Sequence, residues 1–182
     1  MRDKEDILSE NENLKAQVDS LTEQNNKLIQ DQTEYVRLQQ MYNLDQQYTE
    51  YPKIAAEIIS KDPGNWYDTF MINRGSADRI RVGNNVIADK GLVGIVTEVG
   101  THWATVRSII DDSSNVSAMT VSTQDNCVVE GDLELIDEGK LSFSQLYDQD
   151  NKVTVGERIV TSNISEKYVE GIFIGYVSEV QQ

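Results

Sequence analysis

The sequence predicts an N-terminal α-helical coiled coil followed by an all-β region, with two small β-barrel domains in tandem. Three observations carry this. Apolar residues recur at strict heptad spacing in the first fifty positions, the texture changes near Ile54 to short β-branched runs between turn residues, and a segment within those runs occurs twice.

The first part is a helix by elimination and by period. From Lys4 to about Tyr48 there is no Gly and no Pro, and good helix formers dominate. Ile7, Leu14, Leu21, Leu28 and Tyr35 fall seven residues apart. With these at d, the a positions are Asn11, Val18, Asn25 and Gln32. So narrow a stripe is a coiled-coil seam; a helix lying on its own domain carries a wider apolar face. Asn at two a positions weakens the seam but selects a parallel, two-stranded, in-register pair, because each Asn is satisfied by its equivalent. Glu10 at g then faces Lys15 at e of the other chain. After Leu28 the stripe widens through Ile29, Val36, Leu38, Met41 and Leu44, as expected of an end that packs on the globular part. Residues 1–48 are therefore expected to form the dimerisation helix, with Ile7 through Tyr35 as its interface.

Beyond Ile54 the candidate strands are Ile54–Ser60, Thr69–Asn73, Val86–Ala88, Leu92–Val99, Thr105–Ile110, Val116–Val121, Cys127–Glu130, Leu133–Ile136, Leu141–Leu146, Arg158–Thr161 and Gly171–Val180. Their close spacing reads as barrel or sandwich. Asp62-Pro63-Gly64-Asn65 has the residues of a type II turn. Asp137–Lys140 reads as a hairpin turn between Leu133/Leu135 and Leu141/Phe143. The expected division is a first barrel over 52–103 and a second over 104–182, whose last strand is free to return to the first.

The duplication begins with Gly94–Val99, GIVTEV, and Gly175–Val180, GYVSEV. It extends to Ile80–Asp89, IRVGNNVIAD, against Val153–Ser162, VTVGERIVTS. Each copy runs from a Val-Gly turn, at Gly83 and Gly156, through a strand to a Gly-bearing strand, with Gly91 and Gly94 in the first copy and Gly171 and Gly175 in the second. The second copy holds eight more residues between the Val-Gly turn and the last glycine, which predicts a longer loop. Glycines isolated within strands mark bulges, barrel corners or close backbone approach, so these six are the expected structural glycines.

Composition narrows the function. Over 182 residues the formal net charge is −15. Such a chain lacks the Lys/Arg surface that nucleic acid requires, and an anionic bilayer surface repels it. A basic or neutral protein partner fits better. Cys127 is the one cysteine and His102 the one histidine, which leaves no Zn set and no intrachain disulfide; a buried thiol on a strand is expected. No apolar run is long enough for a membrane span, and the start lacks a signal-peptide core. The chain is then either soluble and intracellular or has lost an anchor ahead of Met1. There is no P-loop and no G-x-G-x-x-G. No metal or cofactor is expected.

Two barrels in tandem also raise a trypsin-like protease. His102 would lie between the barrels with Asp111 or Asp112 following, but no Gly-Asp-Ser-Gly segment supplies a nucleophile and oxyanion hole. Asp111–Asn115 lacks the Gly and Glu of a Ca²⁺ loop and reads as a solvated turn, as does Asp148–Asn151. A membrane-fusion-type adaptor of a transporter is the other alternative.

The coiled coil, then AAEIISKDPGNWYDTFMINRG, VGNNVIADKGLVGIVTEVG and VGERIVTSN with EGIFIGYVSEV, in that order, together resemble MreC, the bacterial rod-shape family, over nearly the whole chain. Asn163 departs from the family's Gly after Thr-Ser, and Tyr168-Val169 stands where Phe-Pro usually precedes the next Gly. The resemblance implies a homodimer with no catalytic activity. It also implies a single-pass membrane protein, with a membrane helix preceding the coiled coil and a two-barrel domain on the extracytoplasmic side. It further implies a scaffold of cell-wall elongation that controls rod shape with MreD, MreB and penicillin-binding proteins.

Overall fold

The structure is a computed structural model that describes residues 4–48, 51–61, 69–89, 91–132, 134–146 and 153–180. The chain falls into two units, Met1–Tyr51 and Pro52–Gln182. In the first, the Gly- and Pro-free stretch forms one helix, α1, Lys4–Gln47, of 44 residues. At the α-helical rise this is roughly 65 Å. Local side-chain bonds stiffen its flank: Arg37 donates twice to Glu34 at 2.8 Å.

Among the described residues the second unit has ten strands. These are β1 Ile58–Lys61, β2 Thr69–Ile72, β3 Asn85–Ala88, β4 Gly91–Val99, β5 Ala104–Ser108, β6 Asn115–Thr120, β7 Asn126–Glu130, β8 Ser142–Ser144, β9 Arg158–Thr161 and β10 Phe173–Tyr176. They pair into two five-stranded sheets, in the orders β1-β2-β5-β4-β3 and β10-β9-β6-β7-β8. Every pairing is antiparallel. Period-two alternation places the cores. Ile72, Val96, Ala104 and Val106 form the first, with Phe70, Ile80, Val86 and Val99 packed against them. In the second sheet Val116, Ala118, Cys127, Val129, Ile159 and Val160 are buried. The first five strands lie in the first sheet and the last five in the second, so the chain crosses between sheets once, over residues 109–114. Ala104 heads β5, which is central in the first sheet, so the expected division at 103/104 falls just ahead of a first-sheet strand.

The duplicated segment is a duplicated hairpin. Gly83 donates to the Val96 carbonyl at 2.9 Å, and its counterpart Gly156 donates to Val177 at 2.7 Å. Val96 donates back to Asn84 at 2.9 Å, and Val177 to Glu157 at 2.8 Å. Both turn glycines hold a positive φ, +91° at Gly83 and +90° at Gly156, a region that suits glycine. β3 and β4 pair Asn85 with Ile95 and Val86 with Gly94, then slip past Val93. β9 and β10 pair Arg158 with Tyr176 and Ile159 with Gly175, then slip past Ile174. One bulge therefore occurs at equivalent positions in both copies. The hairpins enter their sheets in opposite senses: β4 pairs with β5 and leaves β3 at an edge, whereas β9 pairs with β6 and leaves β10 at an edge.

That inversion separates the glycines. A Cβ on Gly94 would stand 2.1 Å from the Arg107 carbonyl oxygen of β5. At Gly175 a Cβ meets nothing within 4 Å, because among the described strands β10 is the edge of its sheet; the second copy repeats the residue without the crowding. The register also corrects the matching of Gly171 with Gly91. Leu92 is equivalent to Phe173, which places Gly91 opposite Ile172, and Gly171 instead ends the longer loop. A Cβ on Gly91 would stand 2.2 Å from the Phe173 carbonyl oxygen, where the two sheets meet.

Of the expected strand Leu133–Ile136, the described residues 134–136 form a turn and the start of a 3-10 helix. Asp132 accepts from the Glu134 amide through its carboxylate at 2.9 Å and from the Leu135 amide through its carbonyl at 3.2 Å, and Ile136–Glu138 turns as a 3-10 helix. Local Asx bonding overrides the apolar alternation there. β7 instead pairs with β8. Other strands are shorter than expected: Ile54–Glu57, Asn73, Ile109–Ile110, Leu141, Gln145–Leu146, and both ends of Gly171–Val180 lie outside the ladders. The turns at 62–65 and 148–151 lie outside the described residues.

Candidate functional site

The helical seam residues are all exposed within the chain. Ile7, Leu14, Val18, Leu21, Leu28 and Tyr35 show between 52% and 65% of their surface. Asn11, Asn25 and Gln32 are exposed on the same heptad track. An apolar row that a helix leaves in water has its full transfer free energy still to gain, at about 25 cal/mol per Å² buried.

A second surface lies on the repeated hairpins. Val82 and Val155, equivalent residues of the two Val-Gly turns, are 66% and 67% exposed. On the second hairpin Tyr176 is 65% exposed. Its ring lies 5.1 Å from that of Phe173, and the Arg158 guanidinium sits 4.9 Å over Phe173. Cross-strand pairing of Arg158 with Tyr176 builds this cluster. Sequence reasoning missed it, because it depends on a register slip that spacing alone does not reveal.

The groups with chemical potential are dispersed. His102 is exposed in the β4–β5 turn, inside the first sheet and not between two barrels, while Trp103 is half-buried beside it. Asp111 engages its own turn, accepting from the Ser113 amide at 2.7 Å and from the Ser113 hydroxyl. Ser114 closes that turn by donating its amide to the Asp111 carbonyl at 2.8 Å. Among the described residues no three His, Cys, Asp or Glu side chains are placed to hold a metal ion.

Cys127 is buried on β7. Burial pushes its thiol up to about 11 from an ordinary 9.0. Since the unfolded thiol ionises first, the folded state binds more protons between those two values, and stability falls as pH rises through that window. Thiolate supply at pH 8 drops about a hundredfold for a shift of that size. Native protein is therefore expected to react with a disulfide reagent at least that much more slowly than urea-unfolded protein. Equal rates would show the thiol to be open.

A long helix with an exposed heptad row, followed by two sheets built around a repeated hairpin, defines a class of β-protein that carries a helical N-terminal segment. The chain belongs to the MreC family: residues 58–182 match the family described as Rod shape-determining protein MreC, barrel core. The cell shape-determining protein MreC of Listeria monocytogenes is 28% identical over 185 residues, covering 98% of this chain and 61% of that protein. The chain thus spans about three fifths of that relative's length. A solved MreC structure from Listeria monocytogenes superposes with a TM-score of 0.63 at 29% identity, covering 87% of this chain and 79% of that one. MreC in a complex with Penicillin-Binding Protein (PBP2) from Helicobacter pylori shares the fold, with a TM-score of 0.54 at 13% identity over 68% of this chain and 75% of that one.

Proposed function

We propose that this chain is a non-catalytic, homodimeric scaffold of cell-wall elongation. In this reading the helix zips two copies in parallel through Ile7, Leu14, Val18, Leu21 and Leu28, with Asn11 and Asn25 fixing register. The two sheets act as paired barrels that present docking surface to peptidoglycan synthases and membrane morphogenesis proteins, MreD and MreB among them. The observation that carries the reading is the family match over 58–182, joined to a helix whose heptad row is open. The described helix is too polar to cross a membrane. We assign anchoring to a membrane helix outside this chain, with the described part on the extracytoplasmic side. The barrel division follows the sheets, with the boundary in residues 109–114. Nothing favours the transporter adaptor or the protease over this reading.

Partner binding is directly measurable. The purified chain, passed over the immobilised extracytoplasmic part of a penicillin-binding transpeptidase from the same cell, is expected to bind saturably with a Kd below about 100 μM. No saturable signal at that concentration would contradict the partner assignment.

A further inference from the structure

We propose that the loop Ser162–Gly171 is a latch that holds the two sheets at one mutual angle, with the Asn85 side chain as its catch. The chain crosses between the sheets once, so non-covalent contacts must set their orientation. The second hairpin carries eight residues that the first lacks, and its loop contains the segment that reaches the first sheet.

Two side chains grip that loop from opposite sheets. On the second-sheet side is Thr161 of β9, fully buried. Its hydroxyl donates to the Val169 carbonyl and accepts from the Ile172 amide at 2.8 Å. Its backbone adds two bonds, from Gly171 at 2.9 Å and to Ile172 at 2.8 Å. On the first-sheet side is Asn85 of β3. Its amide group donates to the Lys167 carbonyl at 2.9 Å, and its amide oxygen accepts from the Val169 N–H at 2.7 Å. A carboxamide offers one donor and one acceptor side by side, as a peptide unit does, so a single side chain on an edge strand pairs with a loop as a neighbouring strand would. Tyr168, between the two bonded positions, is 7% exposed. Burial raises the pKa of its hydroxyl, and the positive charge of Arg107 on β5 opposes that rise. The Gly91–Phe173 approach adds a second junction of the same two sheets.

Alanine at 85 leaves two backbone groups without their partners, and aspartate cannot donate to Lys167. The catch is therefore tested by hydrogen exchange together with a spin-label distance between Thr101→Cys in the β4–β5 turn and Asn126→Cys at the start of β7. The wild-type Val169 amide is expected to exchange as slowly as the Val177 amide, which donates to the Glu157 carbonyl at 2.8 Å. Asn85→Ala should speed Val169 about tenfold, in line with the loss of one hydrogen bond. It should also broaden the distance distribution while Val106 and Val129 keep their protection. An unchanged distance distribution in a folded Asn85→Ala chain would overturn the proposal. So would wild-type Val169 exchanging at free-loop rates, a result that needs no variant to fold.

Discussion

Leu21→Asp/Leu28→Asp is expected to sediment as a monomer with a folded β-unit, if the proposed seam pairs two chains. Leu21 and Leu28 are 64% and 65% exposed in the single chain, so neither substitution disturbs packing within it. In a two-stranded seam the pair contributes four leucines, each worth about 1.5–3 kcal/mol when fully buried. Even half of that total, roughly 3–6 kcal/mol, is a hundred- to ten-thousandfold change in association. Four carboxylates brought into one seam oppose pairing further. The Asn11 and Asn25 positions cannot compensate, because Asn in a seam specifies register at a cost in stability. The β-unit has its own two cores, so its near-ultraviolet dichroism should match the parent. A variant that still sediments as the parent dimer would remove the seam from the account.

Gly94→Val is expected to destabilise the β-unit strongly. Its Cβ would lie 2.1 Å from the Arg107 carbonyl oxygen and 2.9 Å from a Val106 methyl, in the middle of the first sheet. Neither can yield without parting β4 from β5. Overpacking of this kind costs about 3 kcal/mol or more, a fall of roughly 10 °C in Tm for a unit of this size. Gly175→Val is the internal comparison, since a Cβ there meets no atom within 4 Å. It should stay within about 0.5 kcal/mol of the parent, and valine suits a strand. Equal losses at the two positions would refute the claim that only the first copy crowds its glycine.

Much of the fold was legible because two periods dominate the sequence. The described helix α1, Lys4–Gln47, coincides with the Gly- and Pro-free stretch from Lys4 to about Tyr48. Arg158–Thr161 coincides with β9, and the runs around Leu92–Val99 and Thr69–Asn73 fall within a residue of β4 and β2. The repeated Val-Gly turns were readable because a positive φ confines the position to glycine in both copies. What stayed hidden depends on pairing. Nothing in Leu133–Ile136 reveals that Asp132 will capture the following amides. Gly94 and Gly175 look alike in sequence and differ only because one copy has a strand beyond it. Asn85 and Asn84 are adjacent and identical in type, yet Asn84 folds back on the Arg81 amide at 2.8 Å while Asn85 reaches the second sheet.

The claim that two copies zip in parallel and in register is tested most directly by mild oxidation of Asn25→Cys. Equivalent a positions in a parallel pair lie within the Cα separation that a disulfide spans, about 4.4–6.8 Å. Cys127 is buried and does not compete. The account predicts near-complete conversion to a covalent dimer, and no cross-link between Asn25→Cys and Asn11→Cys when the two variants are mixed. A chain that stays monomeric under oxidation, or that joins positions 25 and 11 as readily as 25 and 25, would contradict it.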